Sequence, residues 1–199
     1  MERYILLPSL NLNSIYFNVF KKINIVYPII DLTLDQNMFM DTSFEKSEFT
    51  KVEWLTPPEL VKKLGIFDLD PCSPINAPFL HANTNFTIED NGLNKDWFGR
   101  VYCNPPYGKD LYLWMSKLKK HNNGIALLFA RTETKLFFEH IWNDADAILF
   151  VKGRIRFYHV SGKQGGTPGA PSVFIAYGKQ NAIALKNSGI EGRFLDLKL

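Results

Sequence analysis

The longest unbroken apolar run in this chain is six residues, Ile125 to Ala130. A membrane-spanning helix needs about 20 apolar residues, so no segment is expected to cross a bilayer. Six apolar residues in a row suit a strand buried on both faces. Such strands belong to sheets covered by helices on both sides, as in α/β folds.

The flanking sequence agrees with that reading. From Glu48 onward, short apolar runs alternate with helical patterns. Thr56 reads as an N-cap and Pro57 as the first residue of a short helix stopped by Gly65. Ile66 to Leu69 and Phe98 to Cys103 read as strands, closed by Asp70-Pro71 and by Asn104-Pro105-Pro106-Tyr107-Gly108. Apolar residues at 111, 114, 115 and 118 give Leu111 to His121 helical spacing. A helix over Thr134 to Trp142 and a strand over Ala147 to Val151 follow. Ile155 to Tyr158 and Ser172 to Tyr177 read as a closing strand pair around a loop with four glycines (162, 165, 166 and 169). The alternation predicts a largely parallel sheet, whose ligands bind beyond the carboxyl ends of strands. Asp70-Pro71 and Asn104 to Tyr107 fall at two such ends.

The first 45 residues share none of this pattern and lack the basic start and compact apolar centre of a secretory signal. Three readings stay open for them: a weakly ordered appendage, extra strands, or a leader ahead of a native start at Met38 or Met40. The chain's 199 residues suffice for one domain with a real core. Two cysteines, Cys72 and Cys103, with no CxxC, support neither a disulfide scaffold nor a Cys-rich zinc site. The net charge of +3 is unevenly spread: residues 151–199 hold 8 basic and 2 acidic side chains, or +6. A polyanion would meet that quarter first. A solvated basic face is the alternative.

Asn104-Pro105-Pro106-Tyr107 carries the most chemistry. Two prolines fix the backbone after a strand and remove two donors, leaving carbonyl oxygens without local partners. Asn104 adds an amide carbonyl and Tyr107 a flat π-face. The set suits a planar group bearing an NH2, held by two acceptors and stacked on a ring. A stiff turn after a strand would use the same residues.

The stretch resembles the (Asp/Asn/Ser)-Pro-Pro-(Tyr/Phe/Trp) motif of S-adenosylmethionine-dependent amino-methyltransferases. One branch matches further. Glu53 to Pro58, Phe67 to Cys72, Glu89-Asp90-Asn91-Gly92-Leu93, Trp97 and Cys103 to Gly108 resemble the phage-type DNA N6-adenine methyltransferases. So do Ala130 to Thr134, Gly153 to Phe157 and Ala170 to Phe174. The likeness runs in order over roughly residues 48–180, at plausible spacing.

This resemblance implies an abbreviated Rossmann-like α/β fold, mostly parallel, with a C-terminal antiparallel strand pair, over residues 46–199. It implies S-adenosyl-L-methionine as cofactor, double-stranded DNA as partner, no metal and no membrane, in the cytoplasm of a bacterial host. Asn104, Pro105, Pro106 and Tyr107 would be catalytic. Thr56 and Pro57 would touch the methionine end of the cofactor, Asp70 and Pro71 its amino group, and Asp90 its ribose hydroxyls. Arg131, Lys135, Arg154, Arg156 and Lys163, with Lys152, would contact phosphates. The glycines usual after the first methyltransferase strand are missing from Asp70-Pro71-Cys72-Ser73-Pro74. Pro71-Cys72 echoes the nucleophile of cytosine-C5 enzymes, but its surroundings do not match, and a structural thiol is the better reading. The motif also occurs in enzymes acting on a protein glutamine amide or a guanine amino group. A catalytically inactive DNA-binding relative is a further alternative. The target sequence and oligomeric state stay open.

Overall fold

The structure, a computed structural model, describes residues 54–198. The appendage expected over residues 1–45 lies outside the described residues. In chain order, β1 is Trp54–Leu55, α1 Pro58–Lys62, β2 Leu69–Asp70, β3 Thr84–Asn85, β4 Val101–Cys103, α2 Leu111–His121 and β5 Gly124–Phe129. Then come α3 (Lys135–Phe137), running into a π-helical turn (Phe138–Trp142), and β6 (Ala147–Val151). β7 (Tyr158–His159), β8 (Ser172–Tyr177), α4 (Lys179–Lys186) and β9 (Gly192–Asp196) complete the order.

Seven strands form one mixed sheet in the order β3-β2-β4-β5-β8-β6-β9. The first four are mutually parallel. β8 runs antiparallel between β5 and β6, and β9 antiparallel to β6. The parallel expectation therefore describes one half of the sheet. The closing strand pair forms differently. β7 leaves the sheet and pairs antiparallel with β1, in a separate two-stranded ribbon. Burial explains the exchange. Every residue of β8 is buried, so it needs a neighbour on each side, whereas Tyr158 and His159 are half-buried and suit an edge.

Period-two alternation divides the core between the two faces of the sheet. Ala126 and Leu128 of β5 join Leu69, Met115, Leu118, Phe137 and Ile141 beneath α2 and α3. Ile125 and Leu127 join Val61, Phe67, Tyr102, Phe174 and Leu185 beneath α1 and α4. Helix α1 starts one residue later than expected. Pro57 flanks it and Pro58 opens it, with no side-chain cap. Thr56 precedes the cap position, and its hydroxyl accepts a hydrogen bond from Tyr102 Oη at 2.6 Å. Among the described residues, no helix is long and apolar enough to cross a membrane. Nor, among them, does any group of three or more His, Cys, Asp or Glu form a metal-holding cluster.

Candidate active site

Parallel β2 and β4 are hydrogen-bonded neighbours with Leu69 opposite Val101. Their carboxyl ends therefore lie side by side. Asp70 is the last residue of one strand, and Asn104 follows the last residue of the other. Two segments far apart in sequence thus share one rim.

At the β4 end, Asn104 is fixed by its own donor. Nδ2 donates to the Trp54 carbonyl at 3.3 Å, tying the motif to β1. Among the described residues, no hydrogen bond reaches Asn104 Oδ1 or the Pro105 carbonyl, so both keep their acceptor capacity. Pro105 is buried and Pro106 exposed. The Tyr107 ring stacks on Phe129, with centroids 4.6 Å apart and planes 17° from parallel. Its hydroxyl oxygen accepts the Phe129 backbone N–H at 2.9 Å, which pins the ring to the end of β5. Tyr107 is nevertheless 38% exposed. Burial of its hydroxyl pushes the phenol pKa up, so the group stays protonated. Arg131 lies close enough to Tyr107 to oppose part of that shift.

At the β2 end, Asp70 is only 4% exposed. Its Oδ1 accepts the Cys72 backbone N–H at 3.1 Å, and among the described residues no cation pairs with it. Burial outweighs that hydrogen bond and raises the carboxyl pKa from the ordinary 3.8 to about 7. Cys72 and Cys103 face each other with sulfurs 3.7 Å apart, and the hydrogen bond between them, together with burial, pushes the Cys72 thiol well up. Cys72 is therefore a protonated packing group, as the sequence suggested, with the buried Cys103 against it.

Thr56 and Pro57 are buried beside β4, through the Thr56–Tyr102 bond. Asp90 reaches the same rim indirectly. A Cβ on Gly92 would stand 2.0 Å from the Pro71 carbonyl oxygen, so only glycine lets this turn lie flush on Pro71. Asp90 Oδ2 accepts the Thr87 N–H at 2.9 Å and the Thr87 hydroxyl at 3.3 Å. Its second oxygen has no hydrogen bond among the described residues.

The cationic residues divide. Lys135 is paired with Glu139 at 3.5 Å and Lys152 with Glu191 at 3.0 Å. Arg154, Arg156 and Lys163 are exposed, as is Arg131. Three contributors escaped sequence reading. Phe129 supplies the stacking partner of Tyr107, and Trp54 the carbonyl that orients Asn104. His81 packs edge-on against Tyr102 at 5.2 Å, and burial lowers its pKa from 6.5 to about 4, so it is neutral. Trp54 lies in the Glu53 to Pro58 segment and Phe129 in the apolar run, but neither reads as a site residue from sequence, and no motif marks His81.

The rim thus brings together a buried carboxylate, which pairs with no cation among the described residues, and an acceptor pair beside an aromatic ring. No curated protein and no solved structure matches the chain. A family model matches residues 45–178, about two thirds of the length, and takes in both strand ends of the rim. The chain belongs to the DNA N-6-adenine-methyltransferase (Dam) family.

Proposed function

We propose that this protein transfers a methyl group from S-adenosyl-L-methionine to the exocyclic N6 of an adenine flipped out of duplex DNA. Family membership implies DNA adenine methylation in general. One observation supports the finer reading: Asp70 and the Asn104–Tyr107 segment end neighbouring parallel strands.

The donor and acceptor chemistry of the rim fits the cofactor. Asp70 would receive its ammonium, since a buried carboxylate that has no cation gains one strongly. Asp90 offers its second carboxylate oxygen to ribose hydroxyls, while Thr56 and Pro57 wall the methionine end. When bound, S-adenosylmethionine supplies a methyl group activated by a sulfonium.

The chain's own residues do the rest. Asn104 Oδ1 and the Pro105 carbonyl accept the two hydrogens of the adenine amino group. That amine is a poor nucleophile because its lone pair is delocalised into the ring. Acceptors placed in advance favour the positive charge that develops on nitrogen. Pro105 and Pro106 hold the backbone so that little reorganisation is needed. Tyr107, backed by Phe129, offers its open face to the flipped base. Arg131, Arg154 and Arg156 contact phosphates, Lys163 meets the DNA beside them, and Lys135 and Lys152 exchange their carboxylate partners for DNA.

The test is methylation of plasmid DNA in cells expressing the chain, read by long-read sequencing. N6-methyladenine at defined positions is expected. Its absence at every position, from folded protein, overturns the reading.

A further inference from the structure

Apart from the Trp54 carbonyl and Lys163, the ribbon outside the main sheet has no role in the chemistry described above. Tyr158 and His159 pair with Leu55 and Trp54 on one side. On the other side Tyr158 bridges to Gln164, so β7 is the middle of a small antiparallel ribbon. Its turn is closed by backbone bonds from His159 to Lys163 at 2.9 Å, Gly162 to His159 at 2.9 Å and Gly165 to Phe157 at 2.7 Å. The glycine-rich loop is thus a built hairpin, not slack chain.

Both ends of this segment are fastened to the rim of the site. At the near end, Trp54 holds Asn104 through its carbonyl and meets His159 edge-on at 5.9 Å. Gly165 lies so close to the Trp54 ring that a Cβ would stand 2.4 Å from it, so a larger residue there would displace the ring. At the far end, the Pro171 carbonyl accepts the Ala130 N–H at 2.8 Å, one residue past the Phe129 that carries Tyr107. The tip between these anchors, Ser161 to Gln164, is exposed. No acidic residue occurs between Asp146 and Glu191, while Lys152, Arg154, Arg156 and Lys163 all lie there.

We propose that this hairpin is the element that reads DNA sequence, entering the major groove with Lys163 and Gln164 at its tip. The proposal rests on the adenine-methylation reading above. The major groove, about 12 Å wide, admits a two-stranded ribbon. Glutamine pairs two-pronged with adenine N6 and N7, and lysine reaches guanine O6 and N7. An acid-free flank suits the approach to phosphates. Anchoring at Trp54 couples a base read by the tip to the position of Asn104, so the methylated adenine keeps a fixed distance from the sequence recognised.

The experiment uses the full chain, expressed in a host lacking adenine methylation, with every methylated adenine and its neighbours mapped by long-read sequencing. The wild type is compared with Gln164→Ala and with the double variant Lys163→Ala, Gln164→Ala. Gln164 makes no side-chain bond among the described residues, so the single variant keeps the fold, checked by thermal unfolding. The expected result is a base preference at one or two flanking positions that weakens about tenfold in the single variant and further in the double. Unchanged flanking preferences in a folded Gln164→Ala and double variant overturn the proposal. So does a wild type that methylates adenines whatever their neighbours. A folded wild type that methylates no adenine removes the activity reading itself, and the hairpin proposal with it.

Discussion

The two halves of the sheet are built on different terms. β2, β3 and β4 are two or three residues long, whereas β5, β6, β8 and β9 have five or six. The long half is held by its ladder and by packing: Val173 to Tyr177 are almost wholly buried between β5 and β6. The short half leans on side chains. The Arg100 backbone N–H donates to Asp68 Oδ2 at 2.7 Å, and its guanidinium lies 4.2 Å over Phe67 and bonds Asn181 Oδ1 at 2.6 Å. The proposed reacting groups all belong to the short half or to the end of β5. Stability and chemistry therefore reside in different strands, and substitutions should separate them.

The largest effect is expected in the long half. Phe174 is fully buried in β8. Phe174→Ala removes its contacts and leaves a cavity, at a cost of about 3–5 kcal/mol of folding stability in urea unfolding. In the short half Asn104→Ala should do the reverse. Loss of one prepositioned group at the reacting atom lowers single-turnover methyl transfer about 10²–10³-fold. Unfolding should be nearly unchanged, because Asn104 contributes one long hydrogen bond. Full activity in Asn104→Ala would sink the mechanism, and an unfolded variant would contradict the division between the halves.

The same division decides what could be read from sequence. β5 appears where the apolar run predicted it, shifted by one residue, and α2 spans Leu111–His121 as its spacing indicated. The proline-rich turn after β4 was legible because proline restricts its own torsions wherever it sits. Strand partnership was not legible. Apolar character said that Ser172 to Tyr177 is buried, but not that it sits between β5 and β6, since any two apolar neighbours satisfy it. α4 and β9 were missed for a related reason. α4 buries Asn181, which bonds Arg100, Asn123 and the Tyr177 carbonyl, and a polar residue so spent looks like a surface one in sequence. β9 is a largely exposed edge strand without an apolar run. The candidate site was legible as motifs, while the partners that orient them, Trp54 and Phe129, came only with the fold.

Protonation offers a finer test within the short half. The unfolded chain releases the Asp70 proton near 3.8, whereas the folded chain keeps it until about 7. The folded state binds more protons across that window, so this group lowers stability as pH rises through it. His81 acts oppositely. Its folded pKa of about 4 against 6.5 removes stability as pH falls through that window. The two slopes cancel between about 4 and 6.5. Asp70→Asn should abolish the loss on the alkaline side, and His81→Phe should uncover it over the whole range, measured as unfolding free energy against pH. With the cofactor ammonium on Asp70, as proposed, binding would also strip the Asp70 proton. Affinity in calorimetry should fall as pH drops below about 7, and Asp70→Asn should weaken it about 10–100-fold. Affinity independent of both pH and Asp70 would remove the ammonium from this carboxylate.

The smallest expected effect concerns Tyr107 and asks which part of it works. Burial keeps its phenol protonated, and the hydroxyl oxygen is occupied as an acceptor for the Phe129 N–H, so neither proton transfer nor a charged phenolate is available to it. What remains is the ring, stacked at 4.6 Å on Phe129 and still 38% exposed. Tyr107→Phe keeps that ring and loses one hydrogen bond at the end of β5, which costs about 1 kcal/mol of stability. Methyl transfer should then change only a few-fold. Tyr107→Ala removes the stacking surface, worth about 1–3 kcal/mol per base, and should lower transfer about 10–100-fold with a matching loss of binding for oligonucleotides carrying an unpaired adenine. If the phenylalanine variant were instead as inactive as the alanine one, the hydroxyl rather than the ring would be the working part. The short half of the sheet would then hold a second polar group acting beside Asn104.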